Sequence, residues 1–160
     1  MLKPLAALLI FFMVAVIASC STYDTSLPIA DAFAEHPVDD DEIRRPLTNI
    51  TGDIGEGVSV FVNREEGHCV LCHQVESVDA PFQGNLGPDL SAVGSRLTPA
   101  QIRLRIVDAS RLNPATVMPP YYRTSNLSQL TDDLRGKPVL TAGEVEQLVY
   151  FLSSLQGVSE

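Results

Sequence analysis

Apolar positions fall along this 160-residue chain in blocks of different character. Residues 5–18 form an unbroken apolar run of 14 behind Lys3. That is too short for a comfortable membrane span, which takes about 20 residues. With its positive start it reads as an export signal over residues 1–19. Residues 20–51 lack a clear period, carry the charge run Asp39-Asp40-Asp41-Glu42 and are punctuated by Pro28, Pro37 and Pro46. They predict an irregular acidic tether. Periodicity begins at Gly52-Asp53. Asp53 is a fitting N-cap, and Ile54, Val58, Phe61 and Val62 fall on one helical face, with Gly67 as the stop. Gly57 offers a place where another helix can approach closely.

Two further helices announce themselves by their starts. Thr98-Pro99-Ala100-Gln101 is a capping box with proline at the first helical position, opening a helix to about Ala109. Leu97, Ile102 and Ile106 are its apolar contacts. Thr141-Ala-Gly-Glu144 is a second capping box, followed by Val145, Leu148, Val149, Leu152 and Leu155 at helical spacing and by Gly157 as a stop. The pattern predicts an all-α domain over residues 52–157. Its first and last helices should cross, with Gly57 or Phe61 meeting Tyr150 or Phe151.

Composition changes this picture little: 45% apolar and 19% charged residues suit one globular domain. The net charge of −9 would become −10 without Lys3. That balance argues against nucleic acid as a partner, because no basic patch is present to neutralise phosphates. It suits docking onto a basic partner, although solubility alone accounts for it. Arg96, Arg103, Arg105 and Arg111 make a local exception around the middle helix.

The chemistry concentrates in Cys69-Val-Leu-Cys72-His73, the C-x-x-C-H spacing of covalent haem attachment. Two thiols three positions apart can each add across one vinyl group of the porphyrin. The histidine that follows is then held at the iron as its proximal ligand. C-x-x-C alone also occurs in dithiol redox proteins and as half of a zinc site. The first would need a βαβ context, and the second two more thiols or imidazoles at ligand spacing; neither is in the sequence. Met118 is the one methionine beyond the leader and sits in Asn113-Pro-Ala-Thr-Val-Met118-Pro-Pro-Tyr-Tyr122, 45 residues after His73. The prolines make its segment stiff and non-helical, and the chain has room to cross the cofactor. His36, in the acidic tether, reads as solvated, and His68 is too near His73 to reach the opposite face. Met118 is therefore the expected sixth ligand. A thioether there raises the reduction potential, and a site with both axial positions filled serves electron transfer.

These residues carry a resemblance. First helix, C-x-x-C-H, distal methionine and last helix resemble class I cytochromes c from about Gly52 to Leu155. In that family the proline of a G-P-x-L stretch, here Gly87-Pro88-Asp89-Leu90, lends its carbonyl to the proximal histidine, which implies that role for Pro88 towards His73. Within the fold, Gly87-Pro-Asp-Leu-Ser-Ala-Val-Gly-Ser-Arg-Leu-Thr, Leu112-Asn-Pro-Ala-Thr-Val-Met-Pro-Pro-Tyr-Tyr-Arg and Arg135-Gly-Lys-Pro-Val-Leu-Thr resemble the SoxX family, the small monohaem subunits of SoxAX cytochromes. The resemblance implies one covalent haem c on Cys69 and Cys72, with His73 and Met118 as iron ligands. It implies a SoxA-like partner whose haem does the catalysis, coupling thiosulfate to a cysteine of the SoxYZ carrier. This chain then passes electrons to a downstream acceptor and has no substrate chemistry of its own. The patch from Met118 to Arg123, including Tyr121 and Tyr122, is the expected partner contact. Ile17-Ala18-Ser19-Cys20 resembles a lipobox, which implies a lipid on Cys20 and a membrane-tethered periplasmic protein; many SoxX proteins are soluble instead. The alternatives are a freestanding lipid-anchored shuttle to a terminal oxidase or reductase, and a non-haem redox or zinc module.

Overall fold

In the computed structural model, residues 36–65, 67–127 and 131–157 are described. Four α-helices organise them: α1 (Ile54–Val62), α2 (Cys69–Cys72), α3 (Pro99–Asp108) and α4 (Ala142–Ser154). Single 3-10 turns lie at Val93–Ser95, Ala109–Arg111 and Asp132–Leu134. No strand occurs among the described residues; an isolated bridge joins Asp39 and Glu42.

The helix starts follow from local chemistry. The Asp53 carboxylate accepts from the Glu56 amide at 2.9 Å. Thr98 with Gln101 and Thr141 with Glu144 form reciprocal capping boxes, and Pro99 occupies the first turn of α3. Gly157 takes φ +74°, a left-handed conformation suited to a residue without Cβ.

Helices α1 and α4 cross at Gly57. A Cβ there would lie 2.4 Å from both the Gln147 carbonyl oxygen and Phe151 Cβ, so the close approach requires glycine. One turn on, the Phe61 and Phe151 rings meet edge to face, with centroids 5.8 Å apart. Tyr150 instead lies half exposed with its ring on Gly52.

The crossing corrects the expected face of α1. Gly57, Val60 and Phe61 are buried, whereas Ile54 is 48% exposed. Approach at Gly57 rotates the contact stripe away from Ile54. The helix also ends at Val62, before Gly67, because Asn63 turns extended while its amide still bonds to the Ser59 carbonyl. Gly67 is buried, and a Cβ on it would lie 3.2 Å from Cys69 Sγ.

Residues 38–51 are irregular, as the sequence predicts, but they do not hang free. Ile43 is fully buried, and its amide donates to the Ala100 carbonyl at 3.1 Å. Arg103 Nη1 donates to the Ile43 carbonyl at 2.7 Å, and the Leu47 amide donates to Glu146 Oε1 at 2.9 Å. Between these contacts lies a buried ion pair. Arg103 Nε and Nη2 grip the Glu146 carboxylate at 2.7 and 2.8 Å. Arg103 is 4% exposed, and His36, expected to be solvated, is 6% exposed. The apolar side chain of Ile43 draws the segment onto the domain. The export signal and the first part of the tether, Cys20 included, lie outside the described residues.

Candidate functional site

Helix α2 is a single turn that holds the motif. His68 precedes it at φ +56°, exposed, in the left-handed region. The His73 amide closes the turn on the Cys69 carbonyl at 2.9 Å. The turn places Cys69, Cys72 and His73 along one cavity wall.

The next loop is stitched onto α2 from behind. The Gly84 and Gly87 amides donate to the carbonyls of Val70 and Cys72 at 2.9 and 2.8 Å. Gln83 accepts from the Val75 amide at 2.7 Å and donates to the Val78 carbonyl at 2.8 Å. A Cβ on Gly87 would fall 2.3 Å from the Cε1 of His73, so the imidazole lies flat against a backbone that only glycine leaves open. His73 Nδ1 donates to the Pro88 carbonyl at 2.8 Å. That bond fixes the tautomer and leaves the Nε2 lone pair available to a metal.

Across the cavity the chain from α3 to Tyr122 carries Met118. Its base is clamped twice. The amides of Tyr121 and Tyr122 donate to the carbonyls of Ile106 and Val107 at 3.2 and 3.3 Å. Asp108, fully buried, accepts from the Ser110 amide at 3.1 Å and from Arg123 Nη1 at 2.9 Å. Sequence reasoning missed this clasp. The available signal was an acid in the last turn of α3, where the helix macrodipole disfavours negative charge.

The cavity so enclosed measures about 460 Å³ and contains Cys69, Cys72, His73, Pro88 and Met118 in its lining. Leu90, Leu97, Ile106 and Leu152 make its walls largely apolar. Burial pushes the Cys69 thiol up to about 12, with Cys72 adding to the shift. Burial likewise raises the Tyr121 phenol. A thiol held neutral in this way is the opposite of the low-pKa thiolate that a dithiol oxidoreductase uses. Among the described residues no group of three or more His, Cys, Asp and Glu side chains is placed to hold a zinc ion. Two thiols, an imidazole with Nδ1 engaged, a thioether and apolar walls do fit a covalently held haem.

No family model and no curated protein matches the chain. Among solved structures it is similar to a chain of the SoxXA crystal structure from P. pantotrophus, with 30% sequence identity and a TM-score of 0.71. The match covers 78% of this chain and 96% of that one. The chain belongs to the SoxX family. Its fold is the class I cytochrome c fold.

Within this SoxX-family domain two of the arginines around α3 are engaged locally at the cavity. Arg105 bonds the Gln101 carbonyl at 2.9 Å and pairs with Asp41 at 3.6 Å while lining the cavity. Arg96 lines it too and donates to the Asp89 carbonyl at 3.0 Å. The expected contact patch from Met118 to Arg123 also changes. Tyr121 is 7% exposed and part of the cavity wall, and Arg123 is engaged by Asp108. Replacing the tyrosine pair would damage the site before it reported on a partner. Among the described residues no helix is long and apolar enough to cross a membrane.

Proposed function

We propose that the chain is a periplasmic electron-transfer subunit of a thiosulfate-oxidising SoxAX-type cytochrome, working with a SoxA-like partner that acts on the SoxYZ carrier. The reading also tethers it to a membrane by a lipid on Cys20. The observation that carries it is the gathering of Cys69, Cys72, His73 and Met118 around one apolar cavity in a SoxX-family domain.

A haem held there supplies a one-electron Fe(III)/Fe(II) couple. The residues do the rest. Cys69 and Cys72 would hold it covalently, each thiol adding S–H across a vinyl group with the hydrogen going to the neighbouring carbon, an addition that needs no oxidant. His73 offers Nε2 while Pro88 holds its Nδ1 proton, which makes the imidazole a more basic ligand. Met118 offers a thioether, which favours the reduced iron. With His73 and Met118 both given over to the iron, no position would be left open for oxygen, and the residues would serve electron transfer. Electrons come from the partner's oxidation of the sulfur substrate and leave to a downstream acceptor.

The test has two parts. Protein matured with haem-attachment machinery should gain one tetrapyrrole by mass. Met118→Ala should keep that mass but bind carbon monoxide and show a lower potential; an unchanged spectrum removes Met118 from the ligand set. Wild-type protein should then co-elute with a SoxA-like cytochrome and be reduced when thiosulfate is supplied. Failure of that step, with the haem in place, favours the freestanding shuttle.

A further inference from the structure

The loop after His73 buries Val75 and Val78 but turns two large apolar side chains to solvent. Phe82 is 91% exposed, Leu86 71% and Leu71, in α2 beneath them, 42%. Phe82 also sits at φ +58°, the left-handed region that a bulky residue avoids. Exposure and strain at one aromatic side chain are both unfavourable in the isolated chain, and such outliers collect where a protein binds something.

The display is built in, not slack. Gln83 between Val75 and Val78, and Gly84 and Gly87 on the carbonyls of Val70 and Cys72, fix the loop by its inward positions. Gly84 lies so close to α2 that a Cβ on it would fall 1.8 Å from the Leu71 carbonyl oxygen. With 83, 84 and 87 turned in, residues 82 and 86 are held out, in a loop packed on the backbone of the exposed Leu71. A side chain pre-placed in this way loses little freedom on binding.

Three observations choose the occupant. Leu86 belongs both to this patch and to the cavity that contains Cys69 and Cys72, so whatever covers the patch lies over that end of the cavity. The chain carries a net charge of −9, which opposes pairing with a second copy. The acids flanking the loop, Glu76, Asp79 and Asp89, are exposed, and two Ser91 hydrogen bonds hold the Asp89 carboxyl below its usual range. The two nearby cations, Arg64 and Arg96, are turned to loop carbonyls, those of Pro81 and Asp89.

We propose that Leu71, Phe82 and Leu86 form the docking knob for the redox partner, entering an apolar recess with a basic rim on the SoxA-like subunit. This rests on the functional reading above. It moves the contact from the Tyr121–Tyr122 patch to the loop after His73.

The test variant is Phe82→Asn, because asparagine accepts a left-handed backbone. In haem-loaded protein it should leave the visible spectrum and the potential unchanged and should not lower the melting temperature. Its Kd for the purified SoxA-like subunit should rise about thirtyfold, the scale of a central aromatic anchor. Ile54→Ser, at the remote exposed isoleucine of α1, should bind as wild type does. Wild-type binding with Phe82→Asn equal within twofold overturns the docking site alone. No binding by wild type overturns the functional reading and the site with it. A wild-type homodimer that Phe82→Asn dissolves overturns the choice of occupant.

Discussion

Glu146→Ala is the most informative single change outside the cofactor site. The Glu146 carboxylate accepts three hydrogen bonds: from Arg103 Nε at 2.7 Å, from Arg103 Nη2 at 2.8 Å and from the Leu47 amide at 2.9 Å. Its side chain is 9% exposed and that of Arg103 is 5% exposed, so neither charge is screened by water. Truncation leaves the guanidinium with only the Ile43 carbonyl as partner. Breaking a buried pair from one side costs about 3–5 kcal/mol, because the remaining charge stays buried. Against a domain stability of about 5–15 kcal/mol that is a large share. At about 4 °C per kcal/mol for a domain of this size, the melting temperature should fall by about 12–20 °C.

A second variant separates the charge from the packing. Arg103→Met with Glu146→Leu removes both charges and keeps apolar volume, which is often nearly neutral. The Ile43 carbonyl and Leu47 amide still lose their partners, at about 1 kcal/mol each. The double variant should therefore be more stable than Glu146→Ala alone. Denaturant unfolding of the haem-loaded protein measures both, and hydrogen exchange should show the Leu47 amide opening early in Glu146→Ala. A cost below about 1 kcal/mol for Glu146→Ala, or a double variant worse than either single one, would refute the view that this pair holds the N-terminal segment down.

Three further changes probe the crossing and the two sides of the cavity. Gly57→Ala gains up to about 1 kcal/mol of helix propensity but drives a Cβ to 2.4 Å from the Gln147 carbonyl. Overpacking against backbone should outweigh the gain, for a net loss of about 2 kcal/mol or more in thermal unfolding. Gly87→Ala pushes a methyl against the His73 ring, 2.3 Å from its Cε1. It should weaken the bond to Pro88, make the imidazole a poorer donor to the iron, and raise the potential in redox titration. Asp108→Asn removes the charge facing Arg123 and should cost about 1.5–3 kcal/mol. It should also let carbon monoxide reach the iron in a fraction of molecules, because the Met118 segment loses its clasp.

The helix starts, the C-x-x-C-H turn and the α1–α4 crossing were legible because each is written within a few residues. Thr98 to Gln101 and Thr141 to Glu144 need only their own turn to form a cap. Gly57 announced the crossing, and it also held the information that was not used. Two apolar stripes overlap on α1, one through Ile54, Val58, Phe61 and Val62 and one through Gly57, Val60 and Phe61, and periodicity favours the first because it has more apolar side chains. A close approach at Gly57 selects the stripe that contains Gly57, leaving Ile54 outside. The rotation of α1 could thus have been read from the glycine rather than from the hydrophobic count.

What was not legible shares a cause. The irregular segments make only a few bonds within themselves, such as Asp39 to Glu42 and Thr116 to Asn113, and each is also fastened by a distant acid. The 38–51 segment is held by Glu146, about a hundred residues away, and the Met118 segment is clasped by Asp108 to Arg123 across 15 residues. Helix pattern assigns an acid to the solvent by default, and both of these are buried. The α1–α4 pair is joined by apolar packing, while the 38–51 and Met118 segments are fastened by buried carboxylates. Charge-neutral substitutions at Glu146 and Asp108 should therefore loosen segments far from each other and leave the α1–α4 contact intact, a separation that residue-level hydrogen exchange can resolve. If the amides of α4 around Phe151 opened together with Leu47 in Glu146→Gln, the segment and the helix pair would be one cooperative unit, and the division drawn between them would fail.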